Sequence, residues 1–309
     1  MSRSTLPAIS SAQRRAPGAL VLVVFTILVL ALGLTFSSGA MRIWWQVITL
    51  GVVEGVTEFL PISSTAHLLI TADLLRFQND IGGTFEIFIQ LGAILAVVGY
   101  YARDLIQQAR ALPSSRTVQR FWLGIVLAFI PAAVVGLLLR KWIKAVLFAS
   151  PTVIARSLII GGIVLIAVER WPRRPTMHEA EQITPLQALG IGIAQVFALI
   201  PGVSRSGASI VGGLWAGLDR RAATAFSFYL AIPTLGAATI VDLLGSINQL
   251  AAGDVARLAV GTLVSFVVAW LSIAWLLRYV ANHSFVAFGI YRIVAGIVIL
   301  LLVAMQVLA

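Results

Sequence analysis

Residues 51–67 read Gly-Val-Val-Glu-Gly-Val-Thr-Glu-Phe-Leu-Pro-Ile-Ser-Ser-Thr-Ala-His, an apolar stretch interrupted by Glu54, Glu58, Ser63, Ser64, Thr65 and His67. Glu54 and Glu58 stand four residues apart, which puts both on one helix face. Two anions that close in a low dielectric repel, and a hard divalent cation, Mg²⁺ or Ca²⁺, relieves the repulsion. Glu54 and Glu58 are therefore candidate metal ligands. A lone carboxylate could instead serve an arginine or a helix N-terminus. Two on one face, with hydroxyls beyond a break, weaken that plainer role. Ser63, Ser64 and Thr65 open a helix after Pro61. Ser and Thr cap helices routinely, and here one of them could also attack a phosphoryl group or bind its oxygens. His67 falls one turn beyond Ser64, within reach to move a proton to or from that hydroxyl or the substrate.

A second polar island, Pro201-Gly-Val-Ser-Arg-Ser-Gly207, lies in an equally apolar setting. Gly202 and Gly207 let the backbone turn tightly and approach a ligand. A helix that opens there offers free N–H groups and a dipole to an anion. Arg205 adds a bidentate donor suited to phosphate, and Ser204 and Ser206 add hydroxyls. Snorkelling to an interface is the competing role for Arg205. Ionisable groups at membrane depth are costly and mark function by default. Combined, the islands hold anion donors, a guanidinium, a carboxylate pair, a hydroxyl and an imidazole. Phosphoryl transfer needs that set, because it is mostly positioning and neutralisation of charged oxygens. A site among membrane helices favours a substrate with a lipid tail. The residues alone reach a membrane enzyme acting on a lipid-linked phosphate.

The elements that must position these groups are membrane helices. The 309 residues are 60% hydrophobic and 11% charged, with mean hydropathy +0.99, whereas soluble domains are about 25% charged. Long continuous apolar runs argue against a barrel of short alternating strands. The net charge of +10 sits between apolar runs, as topology signals and contacts to anionic headgroups, and does not imply a nucleic-acid partner. With no cysteine, disulfides, thiolate chemistry and Cys-based metal sites are excluded.

Residues 1–18, with Arg3, Arg14 and Arg15, read as a cytoplasmic tail, and 19–36 as an extra N-terminal membrane helix. A signal peptide has the same grammar, but the run is long for one and Ser-Ser-Gly-Ala at 37–40 is a weak cleavage site. A broken pair follows at 43–60 and 62–75, hinged at Pro61. Each half is short of the roughly 20 residues a span needs, and proline breaks the helix. Spans are expected at 85–102, 121–139 and 153–169. A second broken pair, 186–200 and 202–217, hinges at Pro201-Gly202, and spans follow at 222–245, 257–278 and 286–305. The order repeats. Phe59–Ser64 echoes Leu199–Ser204 at an offset of 140, Phe85-Glu-Ile-Phe echoes Phe226-Ser-Phe-Tyr, and Gly162-Ile-Val-Leu-Ile echoes Gly296-Ile-Val-Ile-Leu. Three spans per half invert the second copy, and such repeats put their site near the midplane. The predicted fold is all-α: a polytopic inverted-topology repeat (43–170 and 186–305) with two re-entrant pairs and six core transmembrane helices. Residues 1–42 precede the membrane domain at 43–309. Basic loops at 103–120, at 170–174 (with Arg173) and at Arg220–Arg221 fall inside by the positive-inside rule. Arg140, Lys141 and Lys144 fall outside, which counts against this orientation, and an interfacial amphipathic segment could explain them.

At these motifs the sequence resembles the bacterial undecaprenyl-diphosphate phosphatase family, known also as the bacitracin-resistance family. The matching stretches are Gly51–His67, Thr84–Val98, Pro201–Ala208, Phe226–Pro233 and Ile290–Arg292, within residues 43–305. The resemblance implies hydrolysis of undecaprenyl diphosphate to undecaprenyl phosphate and inorganic phosphate, which recycles the carrier lipid for peptidoglycan. It implies a divalent-cation requirement and a bacterial inner-membrane location, with a site opening to the outer face. It maps the acidic pair onto Glu54 and Glu58, the hydroxyls onto Ser63, Ser64 and Thr65, the histidine onto His67, and the phosphate-binding run onto Ser204, Arg205 and Ser206. Ala66 replaces the family's usual glycine, which matters if that turn needs positive φ. A transporter or flippase of the same lipid and a non-catalytic lipid-binding scaffold are the competing classes. A homo-oligomer is left open.

Overall fold

Proline and serine punctuate the chain where its helices stop and start. In the computed structural model the described residues are 40–77, 84–147, 150–171, 174–246 and 254–307. The expected tail (1–18), the expected extra helix (19–36) and Arg173 lie outside them. Helices α1 (Ala40–Thr57) and α2 (Ser64–Leu74) flank the break at Pro61. Next come α3 (Thr84–Tyr100), α4 (Ala102–Ala111), α5 (Arg116–Trp142) and α6 (Pro151–Arg170). Helices α7 (Pro185–Val196) and α8 (Arg205–Ala216) flank the second break, and α9 (Arg220–Ser246), α10 (Val255–Asn282) and α11 (Val286–Ala304) complete the bundle. Pro151 and Pro185 sit in first turns behind Ser150 and Thr184 caps, where a missing N–H costs nothing.

Helices α5, α6, α9, α10 and α11 are long and apolar enough to cross a membrane, and α3 with α4, bent by 64°, would make a sixth span. Leu138, Ile160 and Leu244 are exposed on them, as befits surfaces that meet lipid. The expected loop at 103–120 instead contains α4. Its charges kept it out of the apolar pattern, but Asp104 in its first turn and Arg110 in its last match the helix dipole. Helix α5 starts at Arg116 and runs through Pro131 to Trp142, beyond the expected 121–139. Arg140 and Lys141 form its last turn, and Arg140 pairs with Asp242 of α9. No separate segment is needed to carry those two cations.

Helix α1 packs on α10 and α7 on α5, while α3 meets α9 and α6 meets α11. The last crossing is close because its contacts are glycines. A Cβ on Gly162 would lie 2.6 Å from the Gly289 carbonyl oxygen, and one on Gly296 2.6 Å from that of Ala155. Small residues allow such backbone approach in membranes.

Arg292 of α11 is 1% exposed. Its guanidinium donates to the carbonyls of Pro61 (3.2 Å), Gly202 (2.9 Å), Val203 (2.8 Å), Leu158 (3.4 Å) and Ser157 (3.4 Å). It thereby holds both breaks. Gly161 leaves the slot for it, since a Cβ there would sit 2.0 Å from Nη2. Arg292→Leu should remove donors from these buried carbonyls and cost at least about 3 kcal/mol, at roughly 1–3 kcal/mol per unsatisfied group. Thermal unfolding in detergent measures this. An unchanged midpoint would overturn the role.

Candidate active site

The two breaks share one backbone device. Ser63 caps α2 at φ 74°, ψ 94°, and Ser204 caps α8 at φ 75°, ψ 119°. Each hydroxyl accepts an N–H three residues on, from Ala66 and from Gly207 (3.1 Å). The matching serines are therefore Ser63 and Ser204, not Ser64 and Ser204 as the sequence echo aligned them. One extra residue separates Pro201 from its cap. A non-glycine residue in this region costs about 1–3 kcal/mol and persists only where its surroundings fix it. The positive φ belongs to Ser63, so Ala66, buried inside α2, needs no glycine.

Ser206 ties the breaks together. Fully buried, it donates to the Leu60 carbonyl at 2.8 Å. Glu58 and Arg205 then meet across the junction. Arg205 Nη2 donates to Glu58 Oε1 at 3.2 Å, and Ser64 Oγ donates to Glu58 Oε2 at 2.6 Å. Arg205 Nη1 also donates to Ser227 at its carbonyl (2.9 Å) and Oγ (3.3 Å), and Ser209 donates to Ser227 Oγ at 2.7 Å. The guanidinium lies 5.9 Å from the Phe59 ring centroid, within cation–π range. Sequence reasoning gave no role to Ser209, Ser227 or Phe59. Ser227, a hydroxyl between two phenylalanines, is the available signal.

These groups form the polar end of a cavity of about 380 Å³. Glu58, Ser63, Ser64, Thr65, Gly202, Ser204 and Arg205 line that end. Phe129, Leu137, Leu199 and Leu235 line apolar walls, and Arg140 and Asp242 line it as well. The starts of α2 and α8 both reach the cavity, so two helix dipoles add positive potential to the guanidinium. Such an arrangement suits an anion that carries an apolar extension.

His67 does not line this cavity. Its Nδ1 lies 2.7 Å from the Ser63 carbonyl oxygen, and its Nε2 lies 2.6 Å from the Tyr291 hydroxyl, with the rings stacked at 5.6 Å. If Nδ1–H donates to the carbonyl, Nε2 of the neutral ring accepts from Tyr291. His67 thus braces the strained Ser63 turn, while the hydrogen bond to Ser64 belongs to Glu58. Glu54 is 1% exposed and neither carboxylate oxygen has a hydrogen-bond partner. Glu58, Arg205 and Glu86 are the charges it feels. Among the described residues no cluster of three or more His, Asp or Glu could hold a metal. Glu58, which lines the cavity, with Glu54 one turn behind it, fits a cation only as part of a sparse site, because Mg²⁺ commonly takes one or two carboxylates and draws the rest from water and substrate phosphates.

The model of the family described as bacitracin resistance protein BacA matches residues 47–298. The chain belongs to this family. The undecaprenyl-diphosphatase of Albidiferax ferrireducens is 51% identical, covering 81% of this chain and 92% of its own length. That of Deinococcus radiodurans is 48% identical over 86% and 97%, and that of Dechloromonas aromatica 50% over 82% and 93%. Members are thus similar to this chain across both polar islands.

The bracing of Ser63 can be tested by coupling. Tyr291→Phe should cost about 1 kcal/mol in the wild type and nothing in a His67→Ala background. Unfolding of the two single variants and the double variant in detergent measures it, and additive losses would exclude the link.

Proposed function

We propose that this chain is an integral membrane phosphatase that hydrolyses undecaprenyl diphosphate to undecaprenyl phosphate and inorganic phosphate. One observation carries the chemistry: Ser64 Oγ donates to Glu58 at 2.6 Å beside Arg205, at the polar end of a cavity with apolar walls. A nucleophile hydrogen-bonded to a base that is itself oriented by a third group is the pattern of covalent catalysis. The shared name of relatives near 50% identity supplies the lipid.

In this reading Arg205, Ser204 and the first N–H groups of α2 and α8 bind the terminal phosphate. Glu58 takes the Ser64 proton as Oγ bonds to the terminal phosphorus. The bond from that phosphorus to the bridging oxygen breaks, and undecaprenyl phosphate leaves. Water then cleaves the phosphoserine, Ser64 regains a proton, and inorganic phosphate departs. Glu54, with Glu58, would hold a divalent cation, Mg²⁺ or Ca²⁺, which when bound supplies neutralisation of phosphate charge. His67, Thr65, Gly202 and Ser206 shape the two helix starts.

We read the fold as an inverted repeat with two re-entrant pairs. The near-identical φ of Ser63 and Ser204 supports this, as do the reciprocal packing of α1 on α10 and α7 on α5, and the fall of two sequence echoes on paired helices, α3 with α9 and α6 with α11. We place the cavity mouth on the outer face of the bacterial inner membrane. Arg140 and Asp242 line the cavity, at the ends of α5 and α9 opposite Arg116, Arg120, Arg220 and Arg221, which mark the inside. Recycling of the carrier lipid for peptidoglycan, and with it bacitracin resistance, follows from this activity. A flippase has no use for the Ser64–Glu58 contact, which disfavours the transport reading.

Purified protein should release phosphate from undecaprenyl diphosphate, lose release with chelator and recover it with Mg²⁺ or Ca²⁺. Ser64→Ala and Arg205→Ala should each cost about 100-fold or more, and acid quenching during turnover should trap phosphoserine at Ser64. No release from folded wild-type protein sinks the enzyme reading, and full activity in either variant sinks the site. For orientation, Arg110→Cys in this cysteine-free chain should react with an impermeant thiol reagent only from the cytoplasmic side.

A further inference from the structure

Gln195 stands nine residues before Ser204, as Glu54 stands nine before Ser63. Both are 1% exposed, and both have side-chain polar atoms without a hydrogen-bond partner: the two oxygens of Glu54, and Oε1 and Nε2 of Gln195. A buried carboxamide with neither its donor nor its acceptor used destabilises the fold that holds it. Leucine would occupy the position without that penalty. Gln195 also lines the cavity that Ser64, Arg205 and Ser204 line, whereas Glu54 does not. The helix that carries it packs closely on α8, since its neighbour Ala194 and Ile191 lie against Gly212. An idle donor in the wall of a cavity is available to a ligand that enters it.

The ligand's chemistry follows from what else is there. Arg205, Ser204 and two helix starts already serve one phosphoryl group next to Ser64. A diphosphate brings a second, whose oxygens accept hydrogen bonds and which stays on the lipid after cleavage. A carboxamide donates to such oxygens without bringing the negative charge that a carboxylate would bring. We propose, on the diphosphate reading above, that Gln195 is a substrate-binding residue whose Nε2 donates to the lipid-proximal phosphate. The two matching positions then divide the charge: an acid at 54 for a cation, an amide at 195 for an anion.

The test separates ligand binding from packing. Gln195→Leu should keep or raise the unfolding midpoint of purified protein in detergent. It should raise KM for undecaprenyl diphosphate about tenfold and weaken inhibition by undecaprenyl phosphate in parallel, with inhibition by inorganic phosphate unchanged. Gln195→Glu should lose more, through repulsion of the same phosphate. A wild-type KM in Gln195→Leu overturns the proposal. So does a lowered midpoint in Gln195→Leu together with normal KM in Gln195→Glu, which would make Gln195 a packing residue. An inactive wild type fails the diphosphatase reading itself, which is a different result from either.

Discussion

Breaking a helix frees backbone carbonyls that need new donors when they are buried, and this chain does so twice within one bundle. Arg292 answers both breaks with one side chain. The guanidinium carries five N–H donors in a rigid fork, and its acceptors lie on Pro61, on Gly202 and Val203, and on the adjacent α6. A lysine, with a point charge and three donors, could not span them. Once the carbonyls of both hinges share one donor, the starts of α2 and α8 cannot drift apart. Ser206 reaching the Leu60 carbonyl adds a second tie at the same junction.

That junction makes the buried pair of Glu58 and Arg205 possible, and its value is not stability. Desolvating two charges costs about what their attraction returns, so a buried ion pair is weak grounds for a stable fold. It does keep a guanidinium and a carboxylate charged and oriented in a low dielectric before substrate arrives. A phosphate that enters can take over the Nη2 donor now on Glu58 Oε1. The carboxylate then keeps its hydrogen bond from Ser64. The Ser64 and Arg205 contacts thus meet on one side chain, Glu58.

Much of this was legible in the sequence, because apolar runs and their interruptions are strong signals. Pro61 and Pro201 marked both hinges, and the two islands named Glu58, Ser64 and Arg205. What failed were questions of which neighbour a polar group chooses. Spacing placed His67 one turn from Ser64, but side-chain direction on α2 turned the ring toward Tyr291 of α11, more than two hundred residues away. The hinge register slipped by one because sequence echo aligns prolines, whereas the backbone aligns capping serines. Helix α4 reads as a loop in sequence because its charges hide it from an apolar pattern. Gln195 was passed over because one amide in an apolar helix looks incidental until its lack of a partner is seen.

The two hinges are nearly the same piece of backbone, yet they carry different residues directly after the cap: Ser64 in the first and Arg205 in the second. Two equal helix starts would make a symmetric anion site, good for holding phosphate and poor at breaking it. Phosphoryl transfer needs an attacking oxygen on one side of the phosphorus and charge neutralisation around it. A different residue directly after each cap would supply both in the proposed reaction without disturbing the backbone that aims them. The strain at Ser63 and Ser204 belongs to this arrangement, because positive φ lets each serine cap its helix while its neighbour faces the cavity. The brace on Ser63 from His67 and Tyr291, and the clamp of Arg292 on Gly202 and Val203 just before Ser204, offset that strain from outside the site.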